Sequence, residues 1–175
     1  LSLLASCSPD TAQHAHPQPP AEPAPSADLT SQDRDFLERA AEGSNAETAM
    51  GALVDARASR PDIIAFGHMM VADHSAANAQ LAAIAAAHRI SLPTSLGEHQ
   101  QNFDRIVDLK REDFDREFKR AMVGDHQEAV ELFRAEATNG SDAALKAFAA
   151  ATLPKIEAHL AQAKALSVDS GGETR

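Results

Sequence analysis

Residues 66–77 read F-G-H-M-M-V-A-D-H-S-A-A, and residues 118–129 read F-K-R-A-M-V-G-D-H-Q-E-A. At an offset of 52 they share six identities in twelve positions: Phe66/Phe118, Met70/Met122, Val71/Val123, Asp73/Asp125, His74/His126 and Ala77/Ala129. We read them as two helices of one internally duplicated, all-α bundle, built from two related helical hairpins, with a histidine at the middle of each helix.

Outward from these stretches, four segments show an apolar seam with steps of mostly 4 and 3, strictly alternating in the first two, which is the spacing of packed helices. The first helix is expected over about 31–58, with Phe36, Ala40, Gly43, Glu47, Met50 and Val54 on its seam. Asp33 and Asp35 fall in its first turn, where carboxylates suit the helix dipole. Ser59-Arg60-Pro61 is a turn, and Pro61 suits the first position of a second helix over about 61–88. Its seam is Ile63, Gly67, Met70, His74, Ala77, Leu81 and Ile84, and the segment from Arg89 to Pro93 ends it. A short extra helix is expected over 96–109. The third long helix spans about 113–138, with Phe114, Phe118, Met122, His126, Ala129, Val130 and Phe133 inward. Asn139-Gly140 stops it, and Ser141 is the expected N-cap of the fourth helix. That helix covers about 142–167, with Leu145, Ala149, Thr152, Ile156, His159, Ala163 and Leu166 on its seam and a kink at Pro154. Alanine and glycine on the seams allow close helix approach. The expected architecture over 31–167 is an antiparallel four-helix bundle followed by a polar tail at 168–175.

Composition agrees with helices and excludes several functions. Hydrophobic residues make up 43% of the chain, with seven Phe and no Tyr or Trp, and β-branched runs are missing. A net charge of −10 argues against nucleic acid and against anionic membrane surfaces. A single cysteine rules out a disulfide framework. No apolar run reaches the ~18 residues of a transmembrane helix.

The chain starts at Leu1, not Met, so further sequence upstream is expected. Leu1–Cys7 looks like the tail of a bacterial export signal, ending in the lipobox Leu4-Ala5-Ser6-Cys7 with Cys7 as the lipidated residue. Residues 8–30 hold six of the nine prolines and read as a disordered linker, able to reach roughly 70 Å at ~3.1 Å per residue. Lipid on Cys7 would anchor the protein to a membrane without spanning it. Ser8 following the cysteine resembles lipoproteins destined for the outer membrane, so the expected location is the periplasmic face of the bacterial envelope. His14 and His16 in the linker are read as solvated.

Each apolar seam carries one polar interruption: Glu47, His74, His126 and His159. Counted from the turns at 1.5 Å per residue, three fall within about 3 Å of one level and His159 roughly 6 Å further along. Four buried polar groups without partners would cost roughly 4–12 kcal/mol, comparable to a whole domain's stability. They must therefore bind one another, water or a metal. One reading is a hydrogen-bonded network in which Glu47 accepts from imidazoles, aided by Thr152. The other is a three-His, one-carboxylate site for one transition metal ion such as Zn, Fe or Cu. Met50, Met70 and Met122 are read as gap-filling core, with Met50 and Met70 toward one end and Met122 toward the other. Asp73 and Asp125 point about 100° away from the adjacent histidines, and are read as partners for Lys or Arg or as orienters of a neighbouring imidazole.

No Glu-x-x-His occurs, which argues against di-iron carboxylate chemistry. Gly-rich phosphate loops, nucleophile elbows and C-x-x-C are likewise missing from the sequence, so no catalytic residues are assigned.

The chain resembles a bacterial family of exported proteins, a "domain of unknown function" group labelled outer-membrane or periplasmic. The matching pieces are Asn45-x-Glu47, Phe66-x-x-x-Met70-x-x-Asp73-His74-Ser75-x-x-Asn78, Phe114-Asp115, His126, Phe133, Leu145-Lys146-x-Phe148, Leu153-Pro154 and His159-Leu160. The resemblance covers about 31–167 and implies a ferritin-like fold and an envelope location, with no agreed activity.

Overall fold

The computed structural model describes residues 28–168, and the regular structure among them is helical throughout. Six helices follow in order: α1 (Ser31–Gly51), α2 (Val54–Arg57), α3 (Pro61–Ala87), α4 (Gln100–Ile106), α5 (Arg111–Asn139) and α6 (Ala143–Ala165). A 3-10 turn at Gly97–His99 precedes α4. The lipobox with Cys7, the linker up to residue 27 with His14 and His16, and the tail from residue 169 lie outside the described residues. No described helix is long and apolar enough to cross a membrane.

α1 opens on a reciprocal cap. Thr30 Oγ1 accepts from the Asp33 amide at 3.2 Å, and Asp33 Oδ2 accepts from the Thr30 amide at 3.0 Å. This capping box satisfies donors that the helix leaves orphaned. Asp33 has a larger part than its dipole position suggests. It is buried, and its Oδ1 also accepts from the amides of Ser141 at 2.9 Å and Asp142 at 3.3 Å. Burial alone would raise the Asp33 carboxyl, but the Thr30 hydroxyl and these amides outweigh it and hold it at about 2.

The helix expected over 31–58 is broken. α1 ends at Gly51, a turn follows at 52–53, and α2 resumes at Val54. The break sits where α1 and α3 approach most closely. A Cβ on Gly51 would stand 2.7 Å from the Gly67 carbonyl oxygen, and one on Gly67 would stand 2.4 Å from a Val54 methyl. The turn carries Val54 over Gly67. At the far end of the chain Asp142, not Ser141, caps α6, its Oδ1 accepting from the Ala144 and Leu145 amides at 3.0 and 2.9 Å. Ser141 lies one residue outside the helix, and its amide donates to Asp33 instead. α6 continues through Pro154.

The seams face one another. α1 packs against α3 and α5, and α6 packs against α5 and α3. At one end Gln32 Nε2 donates to Glu136 Oε2 at 3.2 Å. At the other, buried Asp115 accepts from the Ser59 amide at 3.2 Å and the Ser59 hydroxyl at 2.5 Å. Inside, the apolar residues separate into two clusters. One gathers Phe36, Leu81, Phe133, Leu145 and Phe148. The other gathers Met50, Ile63, Phe66, Met70, Phe118 and Met122. All three methionines are thus gap-filling core on one side, and Met122 is not at the opposite end from the other two. Helix α5 enters the core at the end where α1 leaves it, so Met122 falls beside Met50.

The two copies of the repeated stretch meet across this core. The Phe66 and Phe118 rings are 6.3 Å apart, and those of His74 and His126 are 5.7 Å apart. The copies therefore face each other across the core and run the same way. Duplicated hairpins would match α3 with α6, yet the likeness is between α3, which closes the first hairpin, and α5, which opens the second. It follows position around the core and not a repeated hairpin.

Asp33→Ala removes the α1 cap and the tie to the α5–α6 turn together. We expect a loss of about 2–4 kcal/mol in chemical denaturation. Exposed Asp35→Ala should cost under about 0.5 kcal/mol in the same experiment.

Candidate metal centre

Between the two apolar clusters lies one polar layer. Seam geometry brings Glu47 from α1, His74 from α3, His126 from α5 and His159 from α6 into it, all buried. The three imidazoles form a nearly regular triangle, with ring centroids 5.5–5.7 Å apart. Each offers a ring nitrogen, and the three nitrogens lie within 4.8 Å of one another. The expected ~6 Å displacement of His159 is therefore not found. Counting from turns ignores how far α6 slides along α3, and that slide is set by side chains: Asp73 accepts from His159 Nε2 at 2.8 Å and from Lys155 Nζ at 2.8 Å.

Partners on the far side of two rings fix their tautomers. Met122 O can only accept, so the 2.8 Å contact puts a proton on His126 Nδ1 and leaves the lone pair of neutral His126 on Nε2. Asp73 does the same for His159, leaving Nδ1 as the lone-pair nitrogen. His74 Nδ1 faces the Ser44 hydroxyl at 3.5 Å, which serves as donor or acceptor. The remaining nitrogens, His74 Nε2, His126 Nε2 and His159 Nδ1, are buried and make no aligned hydrogen bond.

Glu47 stands beside two of the three histidines. Its Oε1 is 3.0 Å from His126 Nδ1 and its Oε2 is 2.9 Å from His74 Nε2, both off the direction of an aligned hydrogen bond. Burial alone would raise the Glu47 carboxyl, but the charge of neighbouring His126 and His74 outweighs it and holds it at about 2. Burial alone would lower His74, and the Glu47 carboxylate more than reverses that, so His74 is raised. His159 is lowered by burial and by the nearby His74 and His126, against the pull of Asp73.

A cavity of about 50 Å³ opens on this layer, lined among others by Glu47, His74, His159 and Thr152. It also reaches a pair that seam analysis did not single out. His99 Nδ1 lies 3.2 Å from Asp125 Oδ1, which also accepts from Asn102 Nδ2 at 2.8 Å. Asp73 and Asp125 are thus orienters of imidazoles belonging to other segments, as their position beside the seam suggests. His99 itself escaped notice because it lies in the connection between α3 and α5, where no periodicity marks a residue as inward. The signal that could have found it is Asn45. Its Nδ2 donates to Pro93 O at 3.0 Å and Ser95 O at 3.1 Å, while its Oδ1 accepts from Asn78 Nδ2 at 2.7 Å. These bonds pin the connection onto α1.

A family model described as "Domain of unknown function (DUF4142)" matches residues 18–166. None of the curated protein sequences matches the chain. Among solved structures, CopM in the Cu(II)-bound form is similar, with a TM-score of 0.65 and 18% sequence identity, over 76% of this chain and 93% of that one. At that identity the likeness concerns the fold.

The charge pair at Glu47 makes stability pH-dependent in both directions. Glu47 is depressed from 4.5 to about 2, so its contribution is complete above 4.5 and is lost as pH falls toward 2. His74 is raised above 6.5, so its contribution is complete below 6.5 and is lost as pH rises through its folded value. Metal-free protein should therefore be most stable between these limits. Glu47→Gln should cost about 3–5 kcal/mol there and show a flatter acid limb in urea denaturation across pH.

Proposed function

The chain belongs to this family, a domain of unknown function, and from that premise we propose that it binds one transition metal ion at His74, His126 and His159, with Glu47 as the adjacent carboxylate. One observation carries the reading: each of the three histidines brings a ring nitrogen within 4.8 Å of the others', and each has one buried ring nitrogen that makes no aligned hydrogen bond, that of His74 standing 2.9 Å from Glu47. The two with no near partner, on His126 and His159, would cost about 2–6 kcal/mol if left unmet. An ion meets all three at once. Nitrogens on one tetrahedral Zn at 2.0–2.1 Å are roughly 3.3 Å apart, so a contraction of at most about 1.5 Å from the 4.8 Å limit on the observed separations would bring them to bonding positions. Met122 O and Asp73 behind the rings are the kind of partner that ligating histidines use to hold orientation. Glu47 Oε2, 2.9 Å from His74 Nε2, is spaced as a fourth ligand would be.

Neutral imidazoles with one carboxylate suit Zn, Fe or Cu. That a protein of like fold, CopM, was solved in the Cu(II)-bound form makes copper the first ion to test. The bound ion would supply a Lewis acid or a redox centre. The protein's own part is to hold three rings in fixed tautomers and to keep the layer largely closed to water.

In this reading the four long helices form an antiparallel, ferritin-like bundle. The bundle is tethered through lipid on Cys7 to the periplasmic side of the bacterial envelope. A second reading, an internal polar network without metal, draws support from Glu47, whose two oxygens each lie within 3.0 Å of an imidazole nitrogen.

Elemental analysis decides between them, on protein purified from the periplasm without a His tag and before any chelator. We expect about one equivalent of a single transition metal per chain, lost in His126→Leu. Added Cu(II) at about 100 times its dissociation constant should stabilise the metal-free protein by about 2.7 kcal/mol. Protein that carries no metal and shows no thermal shift with Cu, Zn, Fe or Mn leaves the network reading.

A further inference from the structure

The two Asp-His pairs of the repeated stretch do the same thing twice. In each, the histidine enters the polar layer while the aspartate turns aside to hold a histidine of another segment. Asp73 holds His159, which is a member of the triad. Asp125 holds His99, which is not. His99 thus stands to Asp125 as His159 stands to Asp73, one step outside the triad.

His99 and Asp125 both line the cavity. Its Nδ1 is engaged by Asp125, and its Nε2 edge rests over the bare backbone of Gly43, where an added Cβ would stand 3.6 Å away. Gly43 lines the cavity too. Asp125 has its Oδ1 taken by both His99 and Asn102, while its Oδ2 is buried without a partner in a side chain only 4% exposed. A buried carboxylate oxygen left unmet is costly, and a cation is its natural partner. The cavity wall then runs from exposed Glu128 through His99 and Asp125 to Glu47 and the buried His74 and His159. Four carboxylates, Glu47, Asp73, Asp125 and Glu128, line the cavity against two cations, Arg39 and Lys155, and Lys155 is paired with Asp73, so the balance still draws cations inward.

We propose that this cavity is the port of the metal centre, with His99, oriented by Asp125, as the first imidazole a divalent cation meets on its way to the triad. The inference rests on the metal-binding reading above. The transfer is ligand exchange only: His99 Nε2 and Asp125 Oδ2 replace water on the cation, and Glu47, His74 and His159 then replace them. A residue that acts only in transit lowers the barrier in both directions. Its loss slows uptake and release by one factor and leaves their ratio alone.

The test is stopped-flow uptake of Cu(II) by the full chain, with release followed on challenge with a chelator. His99→Gln and Asp125→Asn should each slow uptake and release alike, by about tenfold, and uptake by the wild-type protein should slow as salt screens the acidic path. Rates equal to wild type in both variants overturn the port. So does weakened affinity with an unchanged uptake rate, which would make His99 part of the final site. Wild-type protein that takes up no metal overturns the metal-binding reading itself, and the port with it.

Discussion

A buried polar group must have a partner, and here four of them are placed in the same slab of the core. Glu47, His74, His126 and His159 divide the apolar interior into two clusters that do not merge. Each cluster is centred on three phenylalanines, Phe36, Phe133 and Phe148 in one and Phe66, Phe114 and Phe118 in the other, set among small seam residues. Close packing of Ala and Gly seams supplies density but little specificity of register. The polar layer supplies that, because a slip of any helix by one turn, about 5.4 Å, would strand an imidazole or a carboxylate in hydrocarbon. Asp73 shows how sharp this is, since one carboxylate ties α3 to two residues of α6, Lys155 and His159.

The ends of the helices are fixed by the same device at lower stakes. Asp33 joins the start of α1 to the α5–α6 turn, and Asp115 joins the start of α5 to the turn before α3. Asn45 does this for the long connection, using both ends of its amide. Each is a side chain accepting from or donating to backbone that a helix end or loop leaves without a partner. Together they hold the core in one arrangement and bring His99, a loop residue, to the wall of the central cavity.

Electrostatics inside the layer favour a positive occupant. Glu47 is ionised, held down by the charge of its histidine neighbours, and Asp73 and Asp125 add carboxylates just outside. His159 is pushed toward its neutral form by burial and by the other two rings, so its Nδ1 lone pair is available near neutral pH. An ion with two positive charges would take the place of protons shared between Glu47 and His74. Metal affinity should then compete with protonation, as it does wherever imidazole is the ligand.

Much of this was legible along the chain. The 4–3 steps of Phe36, Met50, Ile63, Met70, Phe118 and Leu145 mark inward faces because a helix of 3.6 residues per turn presents such positions on one side. Interruption of those faces by Glu47, His74, His126 and His159 was equally plain, since burial of an ionisable group stands out against an apolar stripe. What the periodicity could not carry was anything depending on how helices slide or where loops return. The break at Gly51 arises from contact with Gly67, 16 residues away in sequence. The levelling of His159 with the other rings depends on Asp73, and the arrival of His99 beside Asp125 depends on Asn45 holding a loop. By itself, then, the sequence determined which residues face inward and which of them are polar, because that is a property of one helix at a time. Only the tertiary structure decided which histidines converge, which tautomers they hold and which fourth histidine stands beside them, because those are fixed by bonds between segments that no single helix contains.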